Sequence, residues 1–124
     1  MRRVFYFLAI VLVVTGVFYL SNYFGNKNKT LSHTTIIRVL KNQWKFDPST
    51  FTIPANSAWD LKIYNEDNYA HGFFVQELGI NQELPPEKET IMHINPTKPG
   101  RYMFYCNVVC GAGHYRMNGE IIVK

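Results

Sequence analysis

The 124-residue chain has no Ser-His-Asp arrangement, no spaced pair of catalytic carboxylates and no glycine-rich phosphate loop, so it carries no visible machinery for bond chemistry of its own. Nothing after residue 30 shows a convincing helical period, which excludes a helical bundle. There is no internal repeat and no low-complexity tract, which excludes a solenoid. Cysteine is scarce: Cys106 and Cys110 are the only two, so at most one disulfide can form. A basic surface is also missing where nucleic acid would need one. The four residues Arg2, Arg3, Lys27 and Lys29 account for the whole net charge of +4, and from position 31 onward nine acidic residues meet nine basic ones. A nucleic-acid partner is therefore not expected.

Charge is absent altogether from Val4 to Asn26. A run of roughly 20 apolar residues matches the thickness of a bilayer's hydrocarbon core. Tyr19, Tyr23 and Phe24 suit the membrane interface. A cleaved signal peptide would need a small-x-small cleavage site, and Tyr19 to Tyr23 offers no good one. The expectation is one transmembrane anchor helix over residues 1–26, a polar linker over 27–35 and a domain over 36–124. The N-terminus is expected on the cytoplasmic side, with the domain outside the cell membrane.

The domain reads as all-β. Trp59, Leu61 and Ile63 alternate with Asp60, Lys62 and Tyr64, the period of a half-buried strand. Similar short runs lie at Ile36 to Leu40, Phe51 to Ile53, Phe73 to Val75, Thr90 to Asn95, Tyr102 to Cys106 and Glu120 to Lys124. Turn signals separate them at Asp47-Pro48-Ser49, Pro54-Ala55-Asn56, Leu84-Pro85-Pro86 and Lys98-Pro99-Gly100. About seven short strands with regular turns predict a Greek-key β-sandwich. Seven acids crowd residues 60–89 against Lys62 and Lys88. Their default role is solvated surface charge; their functional role would be an acidic docking face for a basic redox partner.

The chemistry concentrates near the C-terminus. Cys106, Cys110, His114 and Met117 follow the spacing C-x3-C-x3-H-x2-M, with His71 upstream. Thiolate, imidazole and thioether are the ligands copper prefers. With one cysteine this would be the set of a one-copper blue site. A second cysteine points to two copper ions sharing bridging sulfurs, with His71 and His114 serving one copper each and Met117 as a weak axial ligand. A backbone carbonyl of the loop can supply the opposite axial position, and Val108 stands midway between the cysteines. The competing reading of the cysteines is a simple disulfide. His33 and His93 have no such context and read as linker and strand-surface residues.

At Trp44-x-Phe46, His71-Gly72-Phe73, Pro99-Gly100-x-Tyr102 and the loop CNVVCGAGHYRM, the chain resembles the CuA domain of subunit II of cytochrome c oxidases and related haem-copper oxygen reductases. The single N-terminal helix is most like the B-type form. The resemblance implies a cupredoxin-like sandwich with a dinuclear copper centre, CuA, held by His71, Cys106, the carbonyl of Val108, Cys110, His114 and Met117. It implies an electron-transfer subunit of a membrane oxidoreductase complex, accepting electrons from cytochrome c or a similar donor and passing them to haem in subunit I. It also places an aromatic near Trp44 on the electron path. The sequence departs from the family's pattern at Val108, where Glu or Gln is usual, so no magnesium site is implied. It departs again at Asn68, where Asp often stands three residues before the first histidine, and at Asn56, which replaces a hairpin glycine but tolerates positive φ. Two alternatives stay open: a membrane-anchored stand-alone cupredoxin that carries electrons or handles copper, and the copper subunit of a nitric oxide reductase.

Overall fold

The computed structural model describes residues 13–20 and 33–124. Residues 13–20 are helical and exposed. Among the described residues no helix is long and apolar enough to cross a membrane. The remainder of the expected anchor over 1–26, and the linker up to residue 32, lie outside the described residues.

Among the described residues of the unit Ser32–Lys124 there are nine strands in two sheets. They are β1 His33–Leu40, β2 Lys45–Asp47, β3 Thr50–Ile53, β4 Trp59–Asn65, β5 His71–Val75, β6 Ile80–Leu84, β7 Glu89–Ile94, β8 Gly100–Tyr105 and β9 Asn118–Val123. One sheet has the order β2-β1-β4-β7 and the other β3-β9-β8-β5-β6. β1 runs parallel to β4 and β3 parallel to β9, while the other pairs are antiparallel. This is the all-β, cupredoxin-like sandwich expected from the sequence.

Each strand read from alternation is present, and two strands are added. β2 is only three residues long, too short to show a period. β6, Ile-Asn-Gln-Glu-Leu, lies at a sheet edge and keeps a largely polar, solvated sequence. β1 starts at His33, whose ring stacks on Trp59 at 4.8 Å, and Thr35 accepts a 2.8 Å hydrogen bond from the Trp59 indole. Asn56 takes φ 56°, the positive value its place in the turn requires.

Inward-facing residues of both sheets form the core. Ile37, Val39, Leu61, Ile63 and Leu84 are fully buried, and so are Phe46, Phe73 and Phe104. The three phenylalanine rings meet at centroid distances of 4.8 to 5.8 Å in stacked and edge-to-face pairs. Such pairs add about 0.5–1.5 kcal/mol beyond area burial. His71 lies two residues before Phe73, and Cys106 lies two residues after Phe104. The period of two that sends these phenylalanines inward therefore sends the histidine and the cysteine to the same interior face.

Candidate metal centre

The loop between β8 and β9 is closed at its base by a 3.0 Å hydrogen bond from the Cys106 amide to the Met117 carbonyl. Inside it, a single 3-10 turn over His114–Arg116 follows a bond from the His114 amide to the Gly111 carbonyl. The two glycines serve different needs. Gly111 has φ 112°, a value that L side chains rarely adopt. Gly113 has φ −92° but lies flat against Trp44, where a Cβ would fall 2.4 Å from the indole Cγ. Trp44 itself is held at φ 49°, and its indole N–H donates to the Cys110 carbonyl at 2.8 Å.

His71 opens β5 and is fully buried. Its neighbour Gly72 donates its amide to the Cys106 sulfur at 3.3 Å. A Cβ at 72 would fall 2.2 Å from the tip of the Asn107 side chain and 3.1 Å from the Asn107 backbone nitrogen, so the loop would have to give way. The donor atoms form a chain. His71 Nδ1 lies 3.9 Å from Cys106 Sγ, Cys106 Sγ 3.5 Å from Cys110 Sγ, and Cys110 Sγ 3.5 Å from His114 Nδ1. The Val108 carbonyl oxygen is 3.2 Å from Cys106 Sγ. Met117 is buried at the loop's end, and both cysteines are free. A disulfide needs about 2.05 Å between sulfurs, so the two thiols are adjacent but not bonded. The ligand atoms of His71, Cys106 and Cys110 lie within 4.8 Å of one another and can hold a metal ion.

Burial opposes charge on both thiols, yet their fates differ. For Cys106 the burial effect is overcome by hydrogen bonds with His71, the backbone of Gly72 and Val108, and Cys110, and its pKa falls to about 6. Cys110 is pushed up to about 12 by burial, by its hydrogen bond with Cys106 and by the charges of Cys106 and Asp67. At neutral pH the pair shares one proton. His71 is lowered by burial but raised more by Cys106 and Asp67, so it ends above its ordinary value.

Asp67 is the residue that sequence reading missed. It counted only as one of seven acids of the 60–89 stretch, and Asn68 was expected to stand where the family carries its aspartate. The structure gives the role to the residue beside it. Asp67 is fully buried, and its Oδ2 lies 2.8 Å from His71 Nε2. Its Oδ1 accepts from the Asn42 amide at 2.7 Å, and its own amide donates to Asn65 Oδ1 at 3.0 Å. Buried Asn65 in turn donates to the carbonyls of Tyr69 and Leu84. With Nε2–H given to Asp67, Nδ1 of His71 turns its lone pair toward the sulfurs. The only signal in the sequence was an acid four residues before the histidine.

Three of the seven acids in residues 60–89 have partners, while Glu77, Glu83, Glu87 and Glu89 stay exposed. Asp67 faces His71, Glu66 pairs with Arg38, and Asp60 pairs with His93 at 2.6 Å. These three do not contribute to a free acidic face. His93 is exposed on β7, as expected for a strand-surface residue, whereas His33, read as a linker residue, opens β1 and stacks on Trp59.

A cupredoxin-like domain model matches residues 8–123. The chain belongs to the cupredoxin-like domain family. It is 33% identical over 88 residues to cytochrome c oxidase subunit 2 of Thermus thermophilus, covering 71% of this chain and 64% of that protein. The same subunit from a further strain of Thermus thermophilus is 33% identical over 88 residues, with 52% of it covered, so the chain spans between half and two thirds of these relatives. A chain of a heme-copper terminal oxidase dimer superposes with TM-score 0.65 at 23% identity, covering 94% of this chain and 96% of the other. The periplasmic domain of subunit II of cytochrome oxidase from Bradyrhizobium japonicum gives 0.64 at 17% identity, over 74% and 83%. The two structures share this cupredoxin fold. Together the likenesses support the CuA-type subunit II resemblance read from the loop, and a cupredoxin-like domain with this sulfur and imidazole donor set implies copper binding.

Proposed function

We propose that this chain is the electron-accepting subunit II of a membrane haem-copper terminal oxidase, holding a dinuclear CuA centre. Copper would be held by the sulfurs of Cys106 and Cys110, by Nδ1 of His71 and His114, by the Val108 carbonyl and by Met117. Bound there, a copper pair supplies reversible one-electron uptake and release. The observation that carries the reading is the pair of sulfurs 3.5 Å apart, each with one imidazole nitrogen beside it.

The chain's own groups provide a rigid, dry seat. Cys106 and Cys110 are 3% and 6% exposed, which keeps water off the sulfurs. Asp67 fixes the His71 ring, and Trp44 fixes the Cys110 backbone. Hydrogen bonds that are in place before an electron arrives need no reorganisation when it does. His114 is only half-buried, so the centre's accessible side faces the loop's outer surface. Electrons would come from cytochrome c or a similar donor and leave to haem in subunit I, where the complex reduces oxygen. The apolar N-terminal segment would anchor the chain in the cell membrane with the copper domain on the periplasmic side. The subunit II resemblance of the Thermus thermophilus relatives supports this assembly.

Copper analysis of the purified chain tests the centre. Two copper ions per chain and a seven-line mixed-valence resonance are expected, and both are lost in Cys106→Ser. One copper per chain, or a resonance that survives the substitution, overturns it. Mild detergent extraction tests the assembly, because the chain should travel with a haem-bearing partner.

A further inference from the structure

Among the described residues the two sheets end in four edge strands, and three of them are blunted. β2 has three residues and runs into Pro48, and β3 has four and stops at Pro54. β6 carries Asn81, Gln82 and Glu83 along its middle. Short edges, prolines and polar side chains keep one sheet from joining another. β7 lacks this protection. Its six residues, Glu-Thr-Ile-Met-His-Ile, include no proline and no lysine, and Ile91 at the middle is 48% exposed.

The ladder with β4 decides which backbone groups of β7 are spent. In an antiparallel pair every second residue turns its N–H and C=O toward the neighbour, and the residues between turn theirs away. The Asn65 amide donates to the Lys88 carbonyl, one step beyond the Tyr64 and Glu89 pair, so Lys88 faces β4. By the same alternation Thr90, Met92 and Ile94 face β4, and Glu89, Ile91 and His93 turn their backbone groups outward. Among the described residues no backbone group pairs with these three on that side. A cleft lined by Leu78, Ile80, Ile94 and Pro96 separates the end of β7 from the other sheet, so β6 does not close over the edge.

The side chains of the same three residues match a second copy. All three lie on the solvated outer face of the sheet. Two β7 strands set antiparallel about Ile91 place Ile91 against Ile91 and Glu89 against His93, twice over. Exposed Glu89 has no ion-pair partner among the described residues. His93 holds Asp60 through Nδ1 and leaves Nε2 for the Glu89 carboxylate of the other copy. Opposite charges and β-branched pairs directly across two strands are favourable. This register also pairs every outward N–H and C=O, since residues 89, 91 and 93 then oppose 93, 91 and 89.

We propose that β7 is a self-association edge, through which two copies of this chain join their four-stranded sheets into one sheet of eight about Ile91. The interface is the same patch on both copies, and joining it uses up the open edge, so assembly closes at two. β7 supplies none of the candidate copper ligands, so the proposal stands apart from the reading of the metal centre.

Sedimentation equilibrium of the full chain in density-matched detergent reads the association, and a reversible dimer is expected. Ile91→Lys sets two ammonium groups against each other at the axis and should raise the dimer's dissociation constant at least about tenfold. Ile36→Lys lies on the same outer face, in line with Lys62 and Ile91 but two strands from the edge, and should leave the constant unchanged. Ile91→Pro removes an N–H that β4 does not use, so it should abolish the dimer while thermal unfolding stays cooperative. Ile91→Cys reads the register. Directly opposed hydrogen-bonded residues have Cα atoms about 5.5 Å apart, within reach of a disulfide, so mild oxidation should link residue 91 to its own copy. Peptide mapping separates that link from the native thiols, which are buried. The lysine and cysteine variants change a solvated side chain only, so they decide the matter even where proline unfolds the chain. A chain that is monomeric at every concentration, a dimer that survives Ile91→Lys, or one that Ile36→Lys breaks equally overturns the proposal.

Discussion

A single buried carboxylate orients one side of the centre. Asp67 touches His71 Nε2 at 2.8 Å and is itself held by the Asn42 and Asn65 contacts, so the imidazole has one orientation available. Asp67→Asn removes the charge and weakens that hold while keeping the shape. Copper affinity, measured by competition with a chelator, should fall about 10–100-fold, the usual cost of losing a histidine's outer hydrogen-bond partner. Gly113 works by being small. In Gly113→Ala the new Cβ meets the Trp44 ring at 2.4 Å, so the indole must leave and its bond to Cys110 breaks. Denaturant unfolding should show a loss of about 1–3 kcal/mol, as for other overpacked sites. The thiols set the pH response of metal loading. Copper needs both sulfurs deprotonated, and between about 6 and about 12 the pair still holds one proton. Loading near neutral pH therefore releases one thiol proton, and loading below about pH 6 releases two. Affinity rises with pH, more steeply on the acid side, where both thiols hold their protons. Calorimetry in buffers of different ionisation enthalpy reads this count, and a proton release of zero across the range would contradict it.

At the scale of elements, two neighbouring strands do most of the positioning. β5 and β8 pair at Phe74 and Tyr105, which brings the first residue of one, His71, beside the residue that follows the other, Cys106. The β8–β9 loop then returns Cys110, His114 and Met117 to the same place. Phe104 couples this arrangement to the core. Its ring touches Phe46, Phe51 and Phe73, and it fills the space against Gly119 that a side chain there would need. Phe104→Ala should cost about 3–5 kcal/mol in denaturant unfolding, and a loss under about 1 kcal/mol would mean the cluster repacks. The strands that alternate cleanly, such as β4 and β8, were legible in the sequence because one face is wet and the other dry. β6 was not legible, because an edge strand's pairing depends on its neighbour and its own pattern is mostly polar.

At the scale of the whole domain, the candidate ligands tie together segments far apart in the chain. His71 comes from β5, and the others come from the loop more than thirty residues later. Copper binds the folded arrangement and not the dispersed one, so it adds stability by mass action. Stripping copper should lower the melting temperature by about 4–8 °C for each kcal/mol of lost linkage in a domain of this size. A melting curve identical with and without copper would argue against a preformed site.

By itself the sequence determined the sandwich class and the donor types at the loop. Both depend on order along the chain: side-chain alternation follows from strand geometry, and ligand spacing is a matter of counting residues. The partners of those donors were decided only by the tertiary structure. Asp67 was one acid among seven until folding brought it against His71, and Trp44 was one more aromatic until its indole reached Cys110, 66 residues away. Glu66 and Asp60 found their partners in the same way, since Arg38 and His93 come from other strands. A contact between distant segments has no period and no spacing to betray it, so only the packed chain reveals which charges are spent inside the fold and which remain for a partner.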